Sequence, residues 1–273
     1  MERHKTTEPR GIPSLSGEGR VAWIAGGASG IGRAAAQVFA LAGYRVLVVD
    51  RDQSGDAVVR GIDSQQAEVR FVRTDVVESD QVREAVEKAL DLWGRLDFVL
   101  NCAGILGPMS LIESLESSAA DKVLDVNLKG ALHVCREAVR TMRKTGGGAI
   151  VNVTSISAWN GSPGFPVYSA TKAGLIGLTR SIARRTGRYN IRVNCLSPGS
   201  ISGTALERDS GSSQDEHGGH LERQAALMRR IPLGRAGRPE DVAYFALFLA
   251  SPLARHINGS ELIIDGGERL GYL

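Results

Sequence analysis

Tyr168 and Lys172 stand one helical turn apart, and Ser155 precedes them by thirteen residues. A phenol, an ammonium and a hydroxyl held together can pass a proton to or from an oxygen atom. Side chains four residues apart on a helix share one face. A free phenol, with a pKa near 10, is a poor base at neutral pH. An ammonium at about 4 Å contributes roughly 4 kcal/mol at an effective dielectric of 20. That corresponds to about three pKa units, enough to bring the phenol of Tyr168 near neutrality. Ser155 would then hydrogen-bond a substrate oxygen and orient it toward the phenol.

A second constellation lies near the N-terminus, where Gly26, Gly30 and Gly32 follow an apolar run and precede a helical pattern. A residue without Cβ allows a tight turn and close approach of a phosphate, and free N–H groups at a helix start face an anion. The register is open, because Gly30-x-Gly32-x-x-Ala35 also fits the dinucleotide fingerprint. The strand end at Ala25 favours Gly26 as the first functional glycine. Asp50 ends the second apolar run eighteen residues after Gly32. A carboxylate there accepts hydrogen bonds from an adenosine ribose and repels a 2′-phosphate. The expected coenzyme is therefore NAD rather than NADP, although Arg51 or Arg33 could pair with a phosphate. The two halves together point to hydride transfer between a nicotinamide and an alcohol or ketone.

Positioning these groups requires alternating strands and helices. Short apolar runs at Val21–Ala25, Arg45–Val49, Glu68–Arg73, Leu96–Leu100, Ala149–Val153, Ile191–Leu196 and Glu261–Ile264 read as strands. Between them, Gln81–Leu92, Asp121–Met142 and Val167–Thr186 read as amphipathic helices. Apolar strands separated by helices imply βαβ units and a parallel sheet covered on both faces. The expected fold is α/β: one doubly wound Rossmann domain, with a mostly parallel seven-stranded sheet. Residues 1–18 read as a flexible extension and 19–273 as the domain. The stretch 202–228 begins with a Ser-, Gly- and charge-rich run and follows the sixth strand. Long loops of that kind are functional or disordered, and we read this one as a substrate lid rather than a passive insertion.

The bulk properties narrow the alternatives. The chain has 273 residues, 42% of them hydrophobic and 23% charged, with a net charge of +3. That profile suits a globular protein with a substantial core. No basic stripe with interleaved aromatics points to nucleic acid, and no apolar run approaches the roughly 20 residues of a membrane span. The N-terminal twenty residues lack an apolar segment of the secretory kind. Cys102, Cys135 and Cys195 are widely spaced and lack metal-ligand spacing, so reduced core thiols, a cytoplasmic location and no metal are expected. His217 and His220 read as solvated loop histidines.

The chain resembles the single-domain short-chain dehydrogenase/reductase family. The resemblance spans about Leu15 to Gly267 and rests on AGGASGIG (25–32), DV (75–76), NCAG (101–104), VN (126–127), Ser155, YSATK (168–172), PG (198–199), PLGRAGRPEDVA (232–243) and IIDGG (263–267). It implies that Tyr168 is the general acid/base, that Lys172 also binds the nicotinamide ribose and that Ser155 positions the substrate oxygen. Asn127 would hold a water that relays protons toward Lys172. Ser29 and Ile31 would join the glycine turn in holding the coenzyme. Asp75 and Val76 would contact adenine, and Asn101, Ala103 and Gly104 would floor the cleft. Pro198, Gly199 and the backbone of Ile201 would cradle the nicotinamide. The family's usual threonine is replaced by Ala25 at the start of the glycine motif and by Gly203, ahead of Thr204, after the proline. Cys102 replaces a common asparagine.

For substrate, Leu106, Ser157, Trp159, Phe165 and the lid are the candidates. The two aromatics suit an apolar or cyclic substrate, or else the core or an interface. A secondary alcohol or ketone leads, ahead of a cyclic diol or sugar. A non-catalytic NAD(P)-sensing regulator stands last, because Asn127, Ser155, Tyr168 and Lys172 are all present. Ala170, Ala173, Gly174, Gly177 and Ser181 give one helix a small-residue face. The resemblance implies pairing of subunits there, as a homodimer or homotetramer.

Overall fold

A computed structural model describes residues 14–62, 68–204 and 229–270. Seven strands form one sheet: β1 (Val21–Ala25), β2 (Arg45–Asp50), β3 (Val69–Arg73), β4 (Phe98–Asn101), β5 (Gly148–Val153), β6 (Ile191–Pro198) and β7 (Glu261–Ile264). Their order is β3-β2-β1-β4-β5-β6-β7, and all six pairings are parallel. The order reverses between β1 and β4. Ligands of open parallel sheets bind outside the strands' carboxyl ends at such a point.

The sequence explains why the sheet is sandwiched. Successive strand residues face opposite sides, and β1 is buried along its whole length. Its Ala22 and Ile24 enter one core, and its Val21, Trp23 and Ala25 the other. The first core is closed by α1 (Gly30–Leu41) and the helix Pro239–Ala250. The second is closed by α3 (Ser79–Trp93), α5 (Gly130–Thr145) and α7 (Pro166–Thr186). The short helices named among the described residues are α2 (Gly55–Gly61), α4 (Ser117–Leu124) and α6 (Ser157–Asn160), and Pro239–Ala250 is labelled α8.

Two expectations change. The single helix read over Asp121–Met142 is α4 and α5 joined by a π turn, Asp125–Lys129, with Asn127 at its centre. The extension read over 1–18 does not reach 18. Gly17 is buried, its N–H donates to the Ala42 carbonyl at 2.7 Å, and a Cβ there would overlap the Tyr44 ring. The rest of that extension, 1–13, and most of the lid, 205–228 with His217 and His220, lie outside the described residues. Among the described residues no helix is long and apolar enough to cross a membrane, and no group of His, Cys, Asp or Glu is placed to hold a metal.

Candidate active site

A cleft of about 780 Å³ opens at the carboxyl ends of the strands. It collects residues from both halves of the sheet: Gly26, Ser29, Gly30, Ile31, Gly32, Asp50, Arg51, Asp75, Val76, Ala103 and Gly104, then Ser155, Tyr168, Lys172, Pro198, Gly199 and Ile201. Asn101 and Asn127 do not line it. Asn101 is buried, and its amide donates to Asn152 Oδ1 at 3.2 Å.

The glycine turn is built for close approach. Gly26 has φ +71°, and a Cβ there would lie 2.9 Å from the Ala103 amide nitrogen. At Gly32 a Cβ would lie 2.1 Å from the Gly26 carbonyl oxygen. No side chain caps the start of α1, and its first turn carries no acidic residue. Uncapped N–H groups and the positive end of the helix dipole suit an anion. Across the turn, Asp50 Oδ2 accepts from the Ala28 N–H at 3.0 Å and Oδ1 from the Asp52 N–H at 3.0 Å. Those two bonds fix the carboxylate at the cleft's edge. Arg51 lines the cleft and is exposed, whereas Arg33 is exposed and does not line it. The residues present thus fit a dinucleotide.

The other end carries the candidate acid–base groups. Pro166 near the start of α7 has the φ a helix needs, and Tyr168 and Lys172 follow in its first turns. Both are buried, at 6% and 3% exposure. Ser155, just past β5, lies near enough to the phenol to favour its charged form. The phenol is not brought near neutrality, contrary to what the spacing alone would suggest. Burial dominates and pushes Tyr168 up to about 12, with Ser155 opposing it. Lys172 Nζ sits 5.5 Å from the ring centroid and donates to the Val153 carbonyl at 2.9 Å. Burial brings Lys172 down to about 8, against a small opposing pull from Cys102.

Asn127 is fully buried, and its amide is committed locally. Oδ1 accepts from the Ile105 N–H at 2.8 Å, while Nδ2 donates to the Ile105 carbonyl at 2.9 Å and to Thr171 Oγ1 at 3.2 Å. Gly104 keeps a small space open above it. A Cβ at 104 would lie 3.2 Å from Lys172 Nζ and 3.4 Å from Asn127 Oδ1.

Among the substrate candidates, Leu106, Ser157 and Phe165 line the cleft, but Trp159 does not. Its indole N–H donates to Glu261 Oε1 at 2.7 Å, and the ring is 54% exposed. Thr204 lines the cleft and donates to the Ile201 carbonyl at 3.1 Å. Cys102 also lines it, with burial raising its thiol to about 12. Sequence reasoning missed Thr74, Thr154, Ser200, Arg230 and Glu268, all of which line the cleft. Thr154 and Ser200 adjoin Ser155 and Gly199, so adjacency alone could have found them. Glu268 had only its place after the IIDGG ending.

A family model described as enoyl-(acyl carrier protein) reductase matches residues 26–268. The chain belongs to the short-chain dehydrogenase/reductase family of oxidoreductases. It is 39% identical over 251 residues to the 3-oxoacyl-(acyl-carrier-protein) reductase FabG of Thermotoga maritima, covering 92% of this chain and 98% of that one. It is 37% identical over 248 residues to cis-4-hydroxycyclohexanecarboxylate dehydrogenase of Sinomonas cyclohexanicum, covering 91% and 96%. The crystal structure of levodione reductase superimposes with a TM-score of 0.85 at 32% identity, covering 93% of this chain and 99% of that one.

Proposed function

We propose that the protein is an NAD-dependent oxidoreductase that interconverts a ketone and a secondary alcohol, with Tyr168 as the general acid/base. The observation that carries this reading is a single cleft with an uncapped glycine-turn helix start and Asp50 at one end, and buried Tyr168, Lys172 and Ser155 at the other. Gly26, Gly30 and Gly32 with the first N–H groups of α1 would hold the pyrophosphate. Asp50 would take the adenosine ribose, Asp75 and Val76 the adenine, and Pro198, Gly199 and Ile201 the nicotinamide. When bound, that coenzyme supplies the hydride acceptor or donor.

The protein's own part is proton handling. With its pKa raised to about 12, the phenol is a proton donor at neutral pH. It gives its proton to the carbonyl oxygen while the Ser155 hydroxyl orients that oxygen. Charged Lys172 then stabilises the phenolate left behind. Asn127 holds the Ile105 backbone, and its Oδ1 faces the gap beside Lys172 through which a proton from solvent would replace the one the phenol gives up. Leu106 and Phe165 give the substrate end an apolar wall, which suits a ketone with a hydrocarbon body. The names of two relatives, one for a 3-oxoacyl group and one for a hydroxycyclohexane ring, support carbonyl–alcohol chemistry and differ in skeleton. The test is a panel of 3-oxoacyl thioesters and cyclic ketones with NADH and NADPH, followed by the loss of reduced-coenzyme absorbance. Turnover with at least one carbonyl, and tighter NADH than NADPH binding, is expected. Binding of neither coenzyme would refute the reading.

A further inference from the structure

We infer that Glu268 is a positioning residue for the nicotinamide end of the cleft, acting through Ser200; this rests on the coenzyme reading above. Ser200 lies between Gly199 and Ile201, the segment that would cradle the nicotinamide. Remote parts of the chain hold its polar groups. Its N–H donates to Glu268 Oε2 at 2.7 Å and its hydroxyl to Glu268 Oε1 at 3.0 Å. Its carbonyl accepts from the Gly237 N–H at 2.9 Å. Both carboxylate oxygens thus grip one residue, and hydrogen bonds to an ionised acceptor are the stronger kind.

The turn after β7 delivers this carboxylate, and the sequence explains its shape. Gly266 and Gly267 have φ of 61° and 89°, a region that L side chains rarely adopt. Asp265 braces the turn: Oδ1 accepts from the Gly267 N–H at 2.9 Å and Oδ2 from the Arg269 N–H at 2.8 Å. The Glu268 N–H returns to the Asp265 carbonyl at 3.0 Å. Gly199 makes room for the approach, because a Cβ there would lie 2.7 Å from Glu268 Oε2 and 2.8 Å from Asp265 Cβ. The IIDGG ending therefore acquires a purpose in the site. It carries a carboxylate back across the sheet's edge and clamps the coenzyme loop against Gly237.

Amide hydrogen exchange over 197–203, NADH titration and steady-state turnover of the full chain, with Glu268→Ala and Glu268→Gln beside wild type, test this. Glu268→Ala should speed exchange at Ser200 and weaken NADH binding, each about tenfold, as expected when a half-buried donor loses a charged acceptor. Turnover should fall while the thermal midpoint stays close to wild type. Glu268→Gln keeps an acceptor for the N–H and an amide partner for the hydroxyl, so it should recover both values to within about threefold. Unchanged exchange in Glu268→Ala overturns the clamp. Faster exchange with unchanged NADH affinity overturns its positioning role. A Gln variant as impaired as Ala assigns the effect to charge and overturns the hydrogen-bond account. If wild type binds no NADH while exchange still responds, the proposed function falls and the contact alone survives.

Discussion

Tyr168 and Lys172 share one turn of α7, and the same burial acts on them in opposite senses. It favours the uncharged form of each, raising the phenol to about 12 and lowering the amine to about 8. Across neutral pH the pair is therefore a protonated donor beside a cation that can still be lost. Ketone reduction should be flat below pH 8 and fall as Lys172 discharges above it. Lys172→Met should remove that break and leave activity roughly a hundredfold lower. Stability gives an independent reading. The folded amine has the lower pKa, so between about 8 and its ordinary 10.5 the unfolded chain binds more protons. Stability from this group therefore rises with pH in that window. Tyr168, with its folded pKa the higher, opposes this only above about 10. Urea denaturation of wild type and Lys172→Met between pH 7.5 and 9.5 checks the sign. The residue types and spacing of this pair were legible in the sequence. Their protonation states were not, because depth of burial belongs to the packed helix and not to any local pattern.

At the scale of elements, the strands could be read closely because parallel strands buried on both faces are continuous apolar runs. The π turn between α4 and α5 could not. A shift from i→i+4 to i→i+5 bonding leaves the amphipathic pattern almost intact, and π turns occur often at functional sites. Here the turn carries Asn127, whose amide makes three hydrogen bonds that tie it to Ile105 and Thr171. Asn127→Ala should cost about 1–3 kcal/mol, from the buried Thr171 hydroxyl and the half-buried Ile105 backbone left without partners, and should lower turnover by loosening the 105 backbone beside Leu106. Thermal unfolding and the KM-against-kcat split measure these effects. The turn of Trp159 toward Glu261 and the grip of Glu268 on Ser200 were equally out of reach. Both join segments that are distant in sequence and that meet only through the order of the strands.

For the whole molecule, the cleft falls where the strand order reverses, so the two constellations seen first in the sequence become neighbours. The outward face of α7 is a second consequence of the assembled fold. Ala170, Ala173, Gly177 and Ser181 on it are exposed, and a Cβ at Gly177 would meet nothing within 4 Å. Exposed glycine in a helix interior costs about 1 kcal/mol relative to alanine, and close approach of a second copy would offset it. Gly177→Glu should preserve the subunit fold and convert a multimer to a monomer in light scattering. A monomeric wild type would contradict the pairing. The central claim is that Tyr168 moves the proton beside a bound nicotinamide. The direct measurement is ketone-driven NADH oxidation by Tyr168→Phe, with its NADH affinity determined on the same preparation. A loss of about 10²–10⁴ in rate with affinity unchanged is the predicted result. A rate near wild type would contradict the account.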